Sequence, residues 1–448
     1  ILYSNGREVL VTPEHPIFVF ENGEIKTISA DKVKTGVFVP AVEEIEFKGS
    51  YRLDTDIANG RKKVILPETM QGPIARFLGY YVAEGYSYNG TAAEVGLSNT
   101  NQDIISSMKS VVEEVFGISP IDYVNVNRTL RIVSKSLYNY MSKNFPELMK
   151  RSTDKRIPQK IFVAGTRERI EFLKTAFEGD GSIESEAIAY STSSKGLAED
   201  YQDLLLTLGI HSRICKDTYD ASKGTLKRCR YKVYITGDSL KKFVDNIIPE
   251  LKSHEKLKKL VERSEKTNRK HDVLPPYVGT MIIKCLKKLG MPYNGYFNEH
   301  INRNYGITRE VVNRYLDIIE SKIKEIEKII RDINDLRKLR QTIGYSQAKV
   351  AKLINVTRST VDYMERGGYD PEKRNNLLCK FKTTVLREIE EAKEIVNKIK
   401  RLKKFRWLRV KSVEVMNNCG ELGTEWVYDV TVEPTRNFIS HGLVLHNT

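Results

Sequence analysis

The last four residues, Leu445-His446-Asn447-Thr448, could carry out a self-cleavage reaction. The side-chain amide nitrogen of an asparagine can attack its own backbone carbonyl, which closes a succinimide ring and breaks the following peptide bond. A preceding histidine can supply the proton that the departing amine needs. The alternative is an accidental, frayed tail. Upstream, however, residues 426–432 alternate as a strand does, and a turn at 437–442 followed by an apolar run predicts a hairpin that holds this end.

A second set of polar residues lies near the start of the chain. Residues 9–20 predict a strand, a turn and a second strand, with Thr12 and His15 in the turn. This TxxH motif and the carboxyl-terminal segment VYDVTVEPTRNFISHGLVLHN resemble the intein (Hint) family of protein-splicing domains. The resemblance covers roughly the first fifty and the last forty residues. It implies that Thr12 and His15 polarise the amide at the upstream splice junction.

The same resemblance implies roles for residues at the carboxyl end. Asp429 would assist the nucleophilic steps, and His446 with Asn447 would perform the cyclisation. Thr448 would be the first residue of the downstream host segment, and its hydroxyl would accept the transferred acyl group. Taken singly, His15 could be an ordinary turn histidine and Asp429 an ordinary strand-end acid.

Two features differ from the family pattern. The chain begins with Ile1, where the family has Cys, Ser or Thr, and the strand pair before the TxxH motif is missing. We therefore expect the chain to lack the first segment of a splicing domain and to cleave at most after Asn447. Arg436 stands where the family usually has a histidine, and His441 is a nearby alternative.

The middle of the chain contains an internal repeat. One unit runs from about 73 to 141 and the other from about 166 to 243. Each begins with an apolar helix that ends in an acid and a glycine, Glu84-Gly85 in the first and Asp180-Gly181 in the second. Each continues with a short strand, a helix that closes on Gly-Ile, further strands and a last helix. The order αββαββα is therefore predicted twice.

The two repeat-opening helices, LGYYVAEG at 78–85 and LKTAFEGDG at 173–181, resemble the signature helices of LAGLIDADG homing endonucleases. Lys155-Arg156-Ile157-Pro158 also matches a block of the intein-borne members, and the resemblance spans roughly 66–251. It implies a double-strand break in DNA, with each acid leading the attack on one strand.

The chemistry of such a cut explains the acidic helix ends. Hydrolysis of a phosphodiester needs an activated water and neutralised charge on the phosphate, and Mg²⁺ held by hard oxygen ligands supplies both. Small residues such as Gly79 and Ala176 would let the two helices pack closely, so that Glu84 and Asp180 meet. The alternative is a pair of helix-terminal acids without a metal. The predicted site for two or three Mg²⁺ ions comprises Glu84, Asp180, Gly85 and Gly181.

Basic and polar residues on the predicted strands are candidates for contact with DNA. In the second half, Lys232 is the basic side chain predicted to assist the attacking water or the leaving group. In the first half, Arg131 or Lys135 could do so but is expected mainly to contact the DNA backbone. Outward-facing strand residues would contact base edges in the major groove. The predicted DNA-binding residues of the repeat are Asn99, Asn127, Arg128, Arg131, Arg213, Lys216 and Arg230.

A third region, from about 254 to 405, is helical and rich in Lys and Arg. Within it, residues 339–367 resemble the helix-turn-helix of phage-repressor-like regulators. Ser346 would cap the first helix, and the recognition helix would begin at Thr357 with Arg358 and Ser359 facing the groove. The alternative is a plain helical hairpin.

Composition sets bounds on the partners. The chain has 448 residues and a net charge of +15, with a pI near 9.3, which favours a polyanionic partner. The alternative explanation, Lys and Glu enrichment for thermostability, does not account for the imbalance. No apolar run approaches a membrane span, and five scattered cysteines are typical of reduced thiols in a cytosol. We therefore expect a cytoplasmic monomer.

These patterns predict an α+β multidomain protein. Residues 1–65 and 406–448 would form an all-β Hint-type domain, 66–253 the duplicated endonuclease and 254–405 the accessory helical domain. The predicted function is a Mg-dependent, site-specific homing endonuclease joined to a protein-splicing domain, with a long specific duplex and the flanking host protein as partners. The alternatives are a splicing element with an inactive nuclease, an RNA-binding maturase, and a non-catalytic DNA-binding regulator.

Overall fold

The computed structural model describes residues 1–47, 49, 52–57, 63–124, 128–220, 227–251, 254–267, 272–419, 423–426 and 430–446. Four predicted site residues lie outside the described residues: Asn127, Asp429, Asn447 and Thr448. The chain divides into two compact units. The first comprises Ile1–His15, Val42–Asn268 and Val410–Thr448, and the second comprises Pro16–Ala41 and Arg269–Arg409.

Helices and strands are numbered in chain order. The amino-terminal strands are β1 (Leu2–Tyr3), β2 (Pro16–Glu21), β3 (Glu24–Ser29) and β4 (Phe38–Ala41). The first repeat contains α1 (Gly72–Glu84), β5 (Gly85–Asn89), β6 (Ala93–Asn99), α2 (Gln102–Phe116), β7 (Ile121–Val124), β8 (Arg128–Val133) and α3 (Lys135–Asn144). The second repeat, preceded by α4 (Gln159–Phe162), contains α5 (Thr166–Asp180), β9 (Gly181–Ile183), β10 (Ile188–Thr192), α6 (Lys195–Leu206), β11 (Ser212–Asp220), β12 (Lys227–Ile235) and α7 (Asp238–Asn246). The following elements are α8 (Glu255–Thr267), β13 (Val273–Leu274), α9 (Tyr277–Lys288), α10 (Tyr296–Asn302), β14 (Ile307–Thr308), α11 (Arg309–Asp332), α12 (Leu336–Ile343), α13 (Gln347–Ile354), α14 (Arg358–Glu365) and α15 (Pro371–Leu402). The carboxyl-terminal strands are β15 (Arg406–Ser412), β16 (Asn437–Ser440) and β17 (Leu443–His446).

The first unit contains the duplicated αββαββα order that the sequence predicts. Each repeat forms a four-stranded antiparallel sheet, in the order β5-β6-β8-β7 for the first and β9-β10-β12-β11 for the second. The strand order is the same in both sheets. Apolar side chains from α1, α5 and the helices that cover the sheets form one continuous core. The protein is therefore a mixed α+β protein, and its first unit contains two repeats with the same order of helices and strands.

Local capping explains where the covering helices begin. The side chain of Asn101 accepts the backbone N–H of Asp103 at the start of α2, and Ser194 caps α6 through the N–H of Leu197. α2 ends at Gly117, whose φ of 62° suits glycine. These signals lie in the sequence itself, and they fix the predicted boundaries to within a few residues.

The terminal segments of the first unit form a partly regular structure. β16 and β17 pair as the predicted hairpin, and their two-residue turn, His441-Gly442, has φ angles of 50° and 74°. The strand predicted at 9–11 is not seen, and the N–H of Val9 bonds to the carbonyl of Ile1. The strand predicted at 426–432 is likewise not seen in its described residues, 426 and 430–432.

The second unit combines short strands with a helical core. β2 and β3 form an antiparallel hairpin, β2 also pairs with β4 at Phe20 and Phe38, and β4 pairs with the first half of β15. The long helices α11 and α15, with α9, enclose apolar side chains such as Ile319, Phe381 and Ile389. Within the ranges described, no helix has the length and apolarity that crossing a membrane requires.

Candidate functional site

The two repeat-opening helices, α1 and α5, lie against each other along small residues. A Cβ atom added to Gly79 would lie 2.1 Å from the hydroxyl of Thr175 and 2.3 Å from the carbonyl oxygen of Phe172. Thr175 donates a hydrogen bond to the carbonyl of Arg76 (2.8 Å), which ties the helices together. Near the carboxyl ends, a Cβ on Gly179 would lie 2.8 Å from Ala83. The close approach predicted for these helices is therefore present.

This packing places the last residues of both helices, Glu84 and Asp180, in a shared electrostatic environment. Burial raises the pKa of Glu84 to about 7, and the neighbouring charge of Asp180 adds to the increase. Burial also raises the pKa of Asp180 to about 6. Asn99 donates to the Oε1 atom of Glu84, and the hydroxyl of Tyr190 donates to Asp180 at 3.3 Å. Two buried acids next to each other are costly to ionise together, so the arrangement favours a bound cation.

A buried lysine completes the charged cluster. The ammonium group of Lys155 donates to the carbonyls of Tyr81 (3.1 Å), Val82 (3.3 Å) and Gly85 (2.7 Å) at the carboxyl end of α1. Lys155 is 7% exposed. Burial lowers its pKa to about 8, although the charges of Asp180 and Glu84 oppose the decrease. The ammonium therefore partly neutralises the acids and the negative end of the helix dipole.

The backbone around Lys155 is itself fixed. Arg156 forms a two-point ion pair with Asp200 on α6 (2.7 and 2.6 Å), and Asp200 also accepts the N–H of Ile157. Ser194 donates to the carbonyl oxygen of Lys155 (2.9 Å). The segment that carries the lysine is thus attached to the second repeat, while its ammonium contacts the first.

A small cavity opens beside this cluster. Its volume is about 260 Å³, and its walls include Lys155, Asp180 and Tyr190. Lys232 is not part of this wall; its ammonium donates to Glu184 at 2.7 Å. This hydrogen bond raises the pKa of Lys232. Lys155 is thus a lysine whose charge acts on both acids, and the role predicted for Lys232 stays a prediction.

The residues present fit a hard divalent cation. Glu84 and Asp180 supply carboxylate oxygens. The carbonyl oxygen of Gly85 is next to them and accepts a hydrogen bond from Lys155 (2.7 Å). In the described ranges, no group of three or more His, Cys, Asp and Glu side chains forms a complete protein cage. Mg²⁺ commonly keeps several waters and uses one or two carboxylates together with substrate phosphates. The donor set is consistent with that mode of binding.

The predicted DNA-binding residues of the sheets that the structure describes fall into three groups. Three are held in ion pairs: Arg128 with Asp122 (2.7 Å), Arg131 with Glu94 (2.5 Å) and Arg230 with Asp217 (2.6 Å). Arg213 and Lys216 on β11 are exposed, and Arg213 lies over the ring of Tyr234. Asn99 lies at the end of β6 and contacts Glu84, so it belongs to the acidic cluster.

The second unit contains the predicted helix-turn-helix. Ser346 caps α13 through the N–H of Lys349 (3.1 Å), Asn355 adopts a left-handed conformation in the turn, and Thr357 caps α14. The recognition helix therefore begins one residue after the predicted start. Arg358 and Ser359 are exposed on its first turn.

The described splicing candidates lie at the ends of short segments. The N–H of His15 bonds to the carbonyl of Thr12 (3.1 Å), which closes the predicted turn. His446 is the last residue of β17 and pairs with Asn437. His441, in the hairpin turn, hydrogen-bonds through Nδ1 to Asp203 on α6 (2.7 Å). Asp429, Asn447 and Thr448 lie outside the described residues, and their predicted roles stay predictions.

Comparison with known proteins identifies two segments. The family described as LAGLIDADG-like domain matches residues 167–247, and the family described as helix-turn-helix matches residues 336–375. The chain contains both domains. The first match covers the second repeat, which includes Asp180, and the second covers α12–α14.

Several archaeal proteins are similar to parts of the chain. The replication factor C small subunit of Methanocaldococcus jannaschii is 23% identical over 99% of this chain and 26% of its own length. A DNA polymerase of Thermococcus litoralis is 34% identical over 36% of this chain and 9% of its own length. An A-type ATP synthase component of Pyrococcus abyssi is 26% identical over 52% and 23%, respectively. The chain thus spans about a quarter or less of each of these relatives.

Among solved structures, the complex of I-DmoI with DNA and Mn is similar over 40% of this chain and 98% of that chain, with 22% identity and a TM-score of 0.31. The homing endonuclease I-WcaI bound to its DNA recognition sequence is similar over 41% and 86%, with 16% identity and a TM-score of 0.31. Because both TM-scores are low, the description of the site rests on the contacts of this chain alone.

Sequence reasoning missed two members of the cluster, Lys155 and Tyr190. Lys155 lies in the Lys155-Arg156-Ile157-Pro158 block, which the sequence singles out without indicating a role. Tyr190 lies on β10, in an apolar strand pattern that gives no sign of a polar partner. Lys155 contacts the end of α1, more than 70 residues earlier in the chain, and Tyr190 on β10 contacts Asp180 at the end of α5. Neither contact can be read from local sequence pattern.

Proposed function

We propose that the first unit is a site-specific DNA endonuclease that requires a divalent cation, Mg²⁺ by preference, and cuts both strands of a duplex. The observation that carries the proposal is the burial of Glu84 and Asp180 at the adjoining ends of α1 and α5. Burial raises the pKa of both acids, and a cation between them would relieve their repulsion. The match of the LAGLIDADG-like family to residues 167–247 supports the assignment.

The chain's own residues would divide the chemistry as follows. A bound Mg²⁺ would activate a water and neutralise charge on the scissile phosphate. Glu84 and Asp180 would orient the cation, one acid from each repeat for one strand each. Lys155, whose pKa of about 8 lets it hold a proton at neutral pH, would place positive charge beside both acids. Asn99 would fix the carboxylate of Glu84 by donating to one of its oxygens.

The helix-turn-helix of the second unit would extend the recognised site. Exposed Arg358 and Ser359 on the first turn of α14 are the proposed contacts in the groove. A long specific duplex contacted by both units fits the net charge of +15. Exposed Arg213 and Lys216 would contact the same duplex from the sheet of the second repeat.

The nuclease assignment is tested with plasmids that carry the genes of the relatives after deletion of the matched segment. We expect Mg²⁺-dependent conversion of one or more of these plasmids to a linear form. Glu84→Gln and Asp180→Asn should each lower the rate at least about 100-fold. If both variants form linear product as fast as the unsubstituted chain does, the paired acids are excluded as the catalytic centre. A chain that binds but never cuts these plasmids would favour a regulator without nuclease activity.

A second function, autocatalytic protein splicing, is supported by a different observation. The matched relatives carry unrelated names, which are a replication factor, a DNA polymerase and an ATP synthase component, yet each shares a minor segment with this chain. A segment found in proteins of unrelated function is expected to have an activity of its own, such as removal from its host. The hairpin β16–β17 ends at His446, immediately before Asn447.

The splicing proposal is tested on the full chain fused after Thr448 to a reporter protein. We expect release of the reporter by cleavage after Asn447, which mass spectrometry detects as a carboxyl-terminal succinimide or its hydrolysis product. Asn447→Ala should abolish release, and His446→Ala should slow it by about 100-fold or more. Release that persists in Asn447→Ala would rule out cyclisation of this asparagine.

A further inference from the structure

A basic groove lies in the second unit, between helices that the DNA-binding residues proposed above do not use. Its volume is about 850 Å³. Lys284 and Lys287 reach it from α9, Lys352 reaches it from α13, and Arg387 reaches it from α15. Its floor is apolar, formed by side chains such as Ile283 and Leu353. Three separate helices therefore direct cationic side chains towards one groove.

Two further lysines of the groove are committed to the protein itself. Lys288 is paired with Glu388 (3.2 Å) and with Glu391 (2.5 Å). Lys349 lies over the ring of Tyr345 and donates to the carbonyl of Lys288 (2.8 Å) at the carboxyl end of α9. These contacts fix α9 against α13 and α15, and so determine the shape of the groove.

The remaining cations are not neutralised in the same way. Lys284, Lys352 and Arg387 are exposed. The hydrogen bond from Lys288 lowers the pKa of Glu391, and the nearby charges of Arg387 and Lys284 add to the decrease, but the carboxylate of Glu391 is paired with Lys288 (2.5 Å). Glu388 is the acidic side chain in the groove wall, and it is already paired with Lys288. The groove therefore carries a local excess of positive charge above an apolar floor, which costs electrostatic repulsion unless an anion binds.

We propose that this groove binds the phosphodiester backbone of duplex DNA on the flank of the helix-turn-helix. The proposal rests on the DNA-binding function proposed above and extends it, because Lys284 on α9 and Arg387 on α15 lie outside the matched helix-turn-helix segment, 336–375. Phosphate oxygens would contact Lys284, Lys352 and Arg387, and the deoxyribose rings would pack on the apolar floor.

Charge and connectivity favour a nucleic acid over an acidic protein as the occupant. α13 supplies Lys352 to the groove and is also the first helix of the helix-turn-helix, so a duplex held by α14 continues past the same helix. Lys284 and Lys287 are exposed and lie three residues apart, so they are neighbours on one face of α9, which suits contacts to successive phosphates.

The test is the salt dependence of duplex binding by the full chain, followed by fluorescence anisotropy over a series of KCl concentrations. Each phosphate contact adds about 0.9 to the slope of log K against log [KCl]. The variant Lys284→Gln/Lys352→Gln/Arg387→Gln should therefore lose about 2 to 3 from the slope. Lys352→Gln alone should lose about 0.9, which keeps the test valid if the triple variant folds poorly.

A matched control uses three exposed cations of α11, Lys324, Lys328 and Arg331, each changed to Gln. The control should leave the slope unchanged, and an equal loss in both triple variants would overturn the proposal, as would no loss in the groove variant. Displacement of the duplex by polyglutamate without any change of slope would point to an acidic protein and would also overturn it. The unsubstituted full chain tests the proposed DNA-binding function by itself: if it does not bind duplex at all, that function is refuted, whatever the variants do.

Discussion

The cluster of Glu84, Asp180 and Lys155 balances opposing charges in a buried space. Burial raises the pKa of both acids and lowers the pKa of the lysine, because the charged form of each group is less stable in the buried cluster than in water. The three carbonyls that accept from Lys155 keep its ammonium at the end of α1. A metal cation bound between Glu84 and Asp180 would stabilise their ionised forms and so lower the pKa of both acids.

At the level of single residues, the first prediction separates two lysines. Lys155→Met should lower the rate of DNA cleavage at least about 100-fold with little change in DNA affinity, because the positive charge beside the acids is lost. Lys232→Met removes a lysine that is paired with Glu184 outside the cavity wall, so it should have a much smaller effect. Single-turnover cleavage and anisotropy measure the two quantities. A larger loss from Lys232→Met would support the predicted role of Lys232 and contradict the role proposed for Lys155.

The second prediction concerns pH and stability in the absence of metal. The pKa of Glu84 rises from 4.5 to about 7 and that of Asp180 from 3.8 to about 6, so between about pH 4 and 7 the folded chain holds protons that the unfolded chain has released. The free energy of unfolding should therefore fall as pH rises through this window.

Replacing both acids removes this effect. In EDTA, Glu84→Gln/Asp180→Asn should be more stable than the unsubstituted chain at pH 8, by about 1 to 3 kcal/mol after allowance for the partial exposure of Glu84, and about equal to it at pH 4. Urea unfolding at both pH values measures the difference. Identical pH profiles for the two proteins would contradict the burial of the acids.

At the level of helices and strands, sequence patterns predicted the repeat well. Apolar periodicity predicted α1 and α5, whereas the capping contacts of Asn101 and Ser194 at the starts of α2 and α6 are found in the structure. The terminal segments were predicted less well, because a short apolar run such as 9–11 can find a local backbone partner, as the N–H of Val9 does at Ile1, without becoming a strand. Local pattern determines long periodic elements but not the partners of short strands.

The contact between α1 and α5 gives a prediction for a glycine. Gly79→Ala would place a methyl group 2.1 to 2.3 Å from atoms of Thr175 and Phe172, so the helices must separate. We expect a loss of about 1 to 3 kcal/mol in the free energy of unfolding, and a loss of cleavage because the acids move apart. Gly295→Ala is the matched control, since nothing lies within 4 Å of its added Cβ. Equal stability of the two variants would show that α1 and α5 are not in close contact.

A second contact at this scale joins α6 to both terminal segments of the first unit. Asp203 accepts from the buried guanidinium of Arg7 (2.5 Å) and hydrogen-bonds to His441 (2.7 Å) in the turn of β16–β17. Asp203→Asn should speed amide hydrogen exchange in 1–9 and 437–446 together, because one carboxylate holds both segments.

The control for this prediction is Asp238→Asn, at the start of α7 in the same unit. It should leave exchange in both terminal segments unchanged. Faster exchange in one segment alone would show that Asp203 does not connect them, whereas unchanged exchange in both would show that other contacts hold them.

At the level of the whole molecule, the sequence identified the parts of the site but not its full membership. Glu84 and Asp180 could be predicted because they occupy matching positions at the ends of the two repeat-opening helices. Lys155 has no counterpart in that comparison, and its proximity to the acids follows from how the segment before α4 crosses between the repeats. Which cations of the strands are paired with Asp122, Glu94 or Asp217 likewise depends on the register of the folded sheets.

The central claim is that Glu84 and Asp180 together hold a divalent cation. Affinity cleavage with Fe²⁺, hydrogen peroxide and ascorbate tests it on the full chain. Fe²⁺ bound at an oxygen-ligand site would reduce peroxide to a hydroxyl radical that cuts the nearby backbone, and ascorbate would return the Fe³⁺ to Fe²⁺. We predict polypeptide breaks near Gly85 and near Gly181, suppressed by excess Mg²⁺ and absent from Glu84→Gln/Asp180→Asn. Breaks confined to other positions, or breaks at these positions that persist in the double variant, would contradict the account.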